Sequence, residues 1–210
     1  FLHWTGEAYL RFAAPRVTPI YVGAMSPQML TLTGELADGA LPLLFPPEHY
    51  FGVLPLIEAG LTKAFVSLHA HDEALSRRAT AKIGDFDKTV RCIDEMLAGG
   101  VMVSVNHVIT AVNYPYLPRF ADFISARWKG AVAISFAFVT PQYRALENLA
   151  LVPRISEVIP YLRRALGLLV ARESPFIVGS RQGIPPCFLG EFTAWSDFVD
   201  MAPQAHADDA

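Results

Sequence analysis

Apolar and polar positions alternate most clearly between Lys63 and Thr140, where the chain reads strand, loop, helix, strand, loop, helix, strand. The pieces are KAFVSLHAHDE, DFDKTVRCIDEMLAGG, VMVSVNHVITAVN, YLPRFADFISARW and AVAISFAFVTPQ. Short apolar runs predict strands, and runs with apolar residues three and four apart predict helices. Each strand run ends in polar residues: Ser67, His69 and His71 on the first, Asn106, His107 and Asn113 on the second, Thr140 and Gln142 on the third. In parallel α/β folds the C-terminal ends of strands face the ligand crevice. The pattern therefore predicts an architecture and a place for a site.

The flanks extend the alternation. VTPIYVGAM reads as a strand and QMLTLTGELADG as a helix, with Gly39 as its ending or turn residue and ALPLLF as a further strand. Pro46 and Pro47 open a helix pattern carried by EHYFGVLPLIEAG, and ISEVIPYLRRALGLLVARE reads as a long amphipathic helix. PFIVGS is a last short strand, RQGIPPCFLGEFTAWSDFVDM is irregular, and APQAHADDA reads as a disordered tail. About six strands alternate with about five helices, which predicts a parallel sheet with right-handed crossovers. A closed eight-stranded barrel takes about 250 residues. This chain has 210. The fold class expected is α/β, as a partial or open (β/α) barrel.

Composition narrows the partners. The hydrophobic residues make up 52% and the net charge is -3, so a sizeable core is available and no broad basic field exists for nucleic acid. Apolar runs are interrupted well before about 18 residues, which predicts no membrane span. The start, FLHWTGEAYL, has no basic region leading into an apolar core, so no signal peptide is expected and a cytoplasmic location follows. The missing initiator Met implies that Phe1 lies inside a longer parent. Two cysteines, Cys92 and Cys187, read as reduced thiols rather than a disulfide framework.

Two resemblances follow from quoted motifs. TPIYVGAMSPQMLTLTGELADGALPLLFPPE, within residues 1 to about 56, resembles the luciferase-like monooxygenases, flavin- or deazaflavin-dependent barrel enzymes. That resemblance implies that Gly23, Ala24, Ser26 and Pro27 line the cofactor phosphate region. A small-residue turn opening a helix presents free N–H groups to an anion. From about residue 60 to 198, AFVSLHAHDEALSRRAT, IGDFDKTVRC, VNHVITAVNYPYL, VAISFAFVTPQY and GIPPCFLG resemble the middle and C-terminal part of radical S-adenosylmethionine enzymes. That resemblance implies a pocket for S-adenosylmethionine at Ser67, Asn106 and Ser135, with Asn113 close by.

The second family also needs a Cys-x-x-x-Cys-x-x-Cys triplet to hold a [4Fe–4S] cluster, since such clusters depend on thiolates. No triplet exists in this sequence, so the cluster is not supported. The chain thus reads as two partial barrels, residues 1–58 and 59–200, followed by the 201–210 tail. Three functions stand open. The first is a radical S-adenosylmethionine-like protein with a residual pocket and no radical catalysis, acting on a small molecule of unknown identity. The second is a flavin- or deazaflavin-dependent oxidoreductase fragment. The third is a non-catalytic α/β assembly protein, self-associating through exposed sheet edges. His69 and His71 at strand spacing would point to one face and form a weak metal candidate with His107. Cys187 resembles a position that ligates an auxiliary cluster in some relatives, but one thiol holds no cluster alone.

Overall fold

The structure is a computed structural model. It describes residues 62–80, 86–142, 144–179 and 183–197, the short stretches 21–22 and 39–40, and helical positions 32, 35 and 36. Gly23, Ala24, Ser26, Pro27, the helix expected after Pro47 and the 201–210 tail lie outside the described residues.

Among the described residues the strands are β1 (Tyr21–Val22), β2 (Gly39–Ala40), β3 (Lys63–Ser67), β4 (Met102–Ile109), β5 (Val132–Phe138) and β6 (Phe176–Val178). The helices are α1 (Glu73–Thr80), α2 (Phe86–Ala98), α3 (Leu117–Trp128), α4 (Arg144–Glu147) and α5 (Ile155–Ala171). β3, β4, β5 and β6 form one sheet in that spatial order, and β1 pairs with β2. Every pairing is parallel. β2 lies against β3. This is the α/β, partial-barrel architecture that the alternation predicts. Among the described residues no helix is long and apolar enough to cross a membrane.

The core forms because strand and helix periods put apolar side chains on matching surfaces. In β4, Val103, Val105, His107 and Ile109 are buried while Ser104, Asn106 and Val108 alternate with them. In β5, Val132, Ile134 and Phe136 face the same way. Against that side pack Phe86, Val90, Ile93 and Met96 of α2, Phe120, Ala121 and Ile124 of α3, and Val158, Leu162, Leu166 and Leu169 of α5. Their three- and four-residue spacing makes one apolar stripe per helix. Asp94 ties α2 to α3 by accepting from Arg127 at 2.6 Å and from the Trp128 indole at 2.8 Å.

The opposite side of the sheet is only partly covered among the described residues. Phe65 is 48% exposed, Met102 58% and Ile177 38%. In a closed barrel the inward-facing layer is packed by side chains from alternate strands. Here Phe65, Met102 and Ile177 are exposed, while Ser104, Asn106, Ala133 and Ser135 are half-buried and Ala137 is buried.

Three expectations change. Gly39 opens β2 instead of ending a helix. A helix, α1, stands where the sequence reads as loop. Asp72 caps it, its carboxylate accepting from the Leu75 N–H at 2.7 Å, with Glu73 in the first turn and Arg77 and Arg78 in the last. The stretch after β6 is more ordered than irregular, carrying two short 3-10 turns, Pro186–Phe188 and Gly190–Trp195.

Candidate functional site

The parallel register decides which strand-end residues share a place. Ser67 of β3 pairs with Asn106 of β4, and Asn106 pairs with Ser135 of β5. Ser135 in turn pairs with Ile177 of β6. In-register residues of a parallel sheet project to one side. The half-exposed Asn106 and Ser135 and the exposed Ser67 therefore form one polar row on the partly covered side, near the C-terminal ends of the strands.

Just beyond that row lies an open pocket of about 340 Å³, lined by Asn106, Val108, Ala137, Phe138, Val139 and Thr140. The lining is apolar apart from one amide and one hydroxyl, and carries no ionisable side chain. Phe138 is backed by Gly183, where a Cβ would come within 3.3 Å of the Phe138 Cβ and where φ is +93°. Any larger residue at 183 would be strained and would push on the pocket wall.

Asn113 is 1% exposed and its amide is engaged. It donates to the His69 carbonyl at 3.1 Å and the Val108 carbonyl at 2.9 Å, and accepts from the Thr110 N–H at 2.8 Å. Asn113 thus clamps the loops after β3 and β4, and its side chain is turned to backbone groups rather than to the pocket.

The histidines do not converge as ligands. β3 ends at Ser67, so His69 and His71 lie in a loop and not on one strand face. His69 Nδ1 accepts from the Val108 N–H at 3.1 Å. His71 Nε2 lies 3.1 Å from Asp72. His107 sits on the helix side of the sheet, its ring centroid 4.0 Å from that of Phe120. Cys187 is an exposed free thiol in the turn after β6, and Cys92 is buried in α2. No group of three His, Cys, Asp or Glu side chains that could hold a metal exists among the described residues.

Burial sets the protonation of this cluster. It lowers the His69 pKa to about 4. His107 falls to about 3, through burial first and the neighbouring His69 next. His71 is also lowered, by burial and Arg119 against the opposing pull of Asp72. The His69 and His107 imidazoles are neutral at pH 7. Burial, helped by Glu95, pushes the Cys92 thiol up to about 12, so it is not a nucleophile at neutral pH.

The site is thus a binding surface of uncharged polar groups beside an apolar pocket. It can orient a ligand by hydrogen bonds, and it offers no proton-transfer group on its own lining.

Comparison with known proteins adds the following. Residues 2–83 match the sequence model of the luciferase-like monooxygenase family. That match is less than half of the chain, and it runs past residue 58 through β3 and α1. A stretch of 58 residues is 43% identical to a 5,10-methylenetetrahydromethanopterin reductase of Archaeoglobus fulgidus, covering 28% of this chain and 18% of that protein. The chain therefore matches less than a fifth of the length of this relative. No solved structure matches. These findings support the luciferase-like resemblance and lend nothing to the radical S-adenosylmethionine one.

Proposed function

We propose that this chain carries part of a flavin- or deazaflavin-dependent oxidoreductase of the luciferase-like type, with its cofactor ring over the strand ends of β4 and β5. The observation that carries the reading is the family match through residue 83, which includes β3 and so the first member of the Ser67–Asn106–Ser135 row. The relative's name describes a reductase, which agrees with oxidoreductase chemistry.

The lining residues fit such a ring. A flavin or deazaflavin ring is planar, apolar on its faces and polar along one edge. Val108, Ala137, Phe138 and Val139 supply an apolar wall, and Asn106 and Thr140 supply hydrogen-bonding groups for the edge. An amide can both donate and accept, which suits an edge that alternates carbonyls and N–H groups. Ser67 and Ser135 extend the polar row beside it. The luciferase-like resemblance assigns the phosphate end to Gly23 and Ser26, which lie outside the described residues. When bound, the cofactor supplies hydride transfer. The chain's own residues orient the ring. The identity of the reducible substrate belongs to the whole protein.

Titration of the chain with flavin mononucleotide and with a deazaflavin, followed by fluorescence quenching, tests the reading. Saturable binding is expected for one of them, weakened about fivefold to tenfold in Asn106→Ala through loss of about 1 kcal/mol of hydrogen bonding. Absence of saturable binding by either would sink the proposal.

A further inference from the structure

We propose that His69 and His107 are a pair of positioning residues, fixed in opposite neutral tautomers, that lock the 68–72 loop onto the end of β4 and so hold the Val108 wall of the pocket. The proposal stands on the strand-end geometry and holds whatever ligand the pocket takes.

The β3–β4 ladder runs to the pair Ser67 and Asn106, and the Leu68 N–H then donates to the Asn106 carbonyl at 3.1 Å. A continuing parallel ladder would next join the Val108 N–H to the Leu68 carbonyl. That bond is replaced by two side-chain bonds. His107 Nδ1 lies 3.0 Å from the Leu68 carbonyl oxygen, so this nitrogen carries the proton and donates. His69 Nδ1 accepts from the Val108 N–H at 3.1 Å, so this nitrogen is bare. His69 is therefore protonated at Nε2 and His107 at Nδ1. Asn113 completes the clasp by donating to the His69 and Val108 carbonyls.

The arrangement leaves His107 Nε2 buried without a partner among the described residues. A buried polar atom left unsatisfied is costly, and an ordinary ladder bond would have avoided it. Its persistence beside the pocket points to a positional role. Two imidazoles reach across the strand gap where one backbone bond would have drawn the loop inward.

The groups facing the pair are few. The two ring centroids lie 6.0 Å apart in an edge-to-face arrangement. His71 and Asp72 come from the same loop, and Arg119 of α3 acts on His71. Phe120 of α3 and Phe136 of β5 pack on His107 and are uncharged. Protonation of His69 at Nδ1 would set two donors against each other at Val108 and open the clasp.

Long-range nitrogen–proton spectra of the histidine side chains at pH 7 test the tautomers directly. His69 as the Nε2–H form and His107 as the Nδ1–H form are expected, and the reverse at either residue overturns the proposal. Hydrogen exchange tests the pH behaviour. Val108 should lose at least tenfold of its protection relative to Ile134 as pH falls through about 4. His69→Asn, which keeps an acceptor near the Nδ1 position and does not titrate, should retain protection in acid, while His69→Leu should lose it at every pH. Unchanged Val108 protection through the same range, or loss in His69→Asn with the native midpoint, overturns the clasp. Where acid unfolds the whole chain and Ile134 exchanges together with Val108, the tautomers at pH 7 decide.

Discussion

The two sides of the β3–β6 sheet are built from the same strands and do different work. On the helix side, Val105, Ile134 and Phe136 are closed under α2, α3 and α5. On the other side, one residue away along each strand, the exposed Ser67 and half-buried Asn106 and Ser135 share a face with the exposed Phe65, Met102 and Ile177. Because side chains alternate with a period of two, each strand carries a core-facing series and an outward-facing series interleaved in one segment. The difference teaches where each kind of substitution should register. Closed-side changes alter stability, and changes on the other side alter binding.

Acid should break the comparison most strongly, through His107 on the closed side and His69 in the adjoining loop. Both have folded pKa values, about 3 and about 4, below the ordinary histidine value of 6.5. Below about pH 6.5 the unfolded chain takes up protons that the folded chain refuses, so stability falls as pH drops. Between pH 7 and 4 the loss is on the order of 5 kcal/mol, comparable to the whole stability of a marginal domain. Urea unfolding at pH 7, 5.5 and 4 would measure it. His107→Phe should flatten about half of the slope, and a flat curve in the native chain would contradict the burial of both rings. Next in size, Phe136→Ala should cost about 3–5 kcal/mol by emptying a fully buried position. The shift in urea midpoint at pH 7 reads this out. Its neighbour Ser135→Ala should change the stability read from the same midpoint by less than about 0.5 kcal/mol, because Ser135 is only half-buried and small. A Ser135→Ala effect as large as that of Phe136→Ala would show that the partly covered side is closed over in solution.

Much of the fold was legible because period and punctuation agree. MVSVNHVI alternates as a strand should, and LPRFADFISARW has its proline in the first turn and its apolar residues on one face. The helix α1 was not read, since EALSRRAT offers Leu75 as its one large apolar side chain. Its signal was electrostatic: Asp72 at the cap, Glu73 in the first turn and two arginines in the last. The Ser67–Asn106–Ser135 row was picked out by resemblance to radical S-adenosylmethionine enzymes, and the register brings the three together. Strand C-terminal ends face the crevice in parallel α/β folds generally, so such residues locate a crevice without naming its cofactor. His107 was grouped with His69 as a strand-end polar residue. Its odd place in the alternation, in phase with Val103 and Val105, marks it as pointing into the core. His69 could not be placed by periodicity, because β3 stops two residues before it.

The exclusively parallel pairing has a consequence for how the chain reaches this state. No hairpin exists in the β3–β6 sheet to begin it, and each contact between neighbouring strands must close a long loop; the His107–Leu68 bond alone spans 39 residues. Loop closure of that length is an entropic toll collected before any burial rewards it, which slows assembly relative to helices of similar size. β4 and β5 share the longest register, from Val103–Val132 to Ile109–Phe138, with the 3-10 turn Tyr114–Tyr116 and α3 between them. The β4–α3–β5 unit is therefore the natural seed of the sheet, and β3 and the short β6 are later arrivals on its two edges.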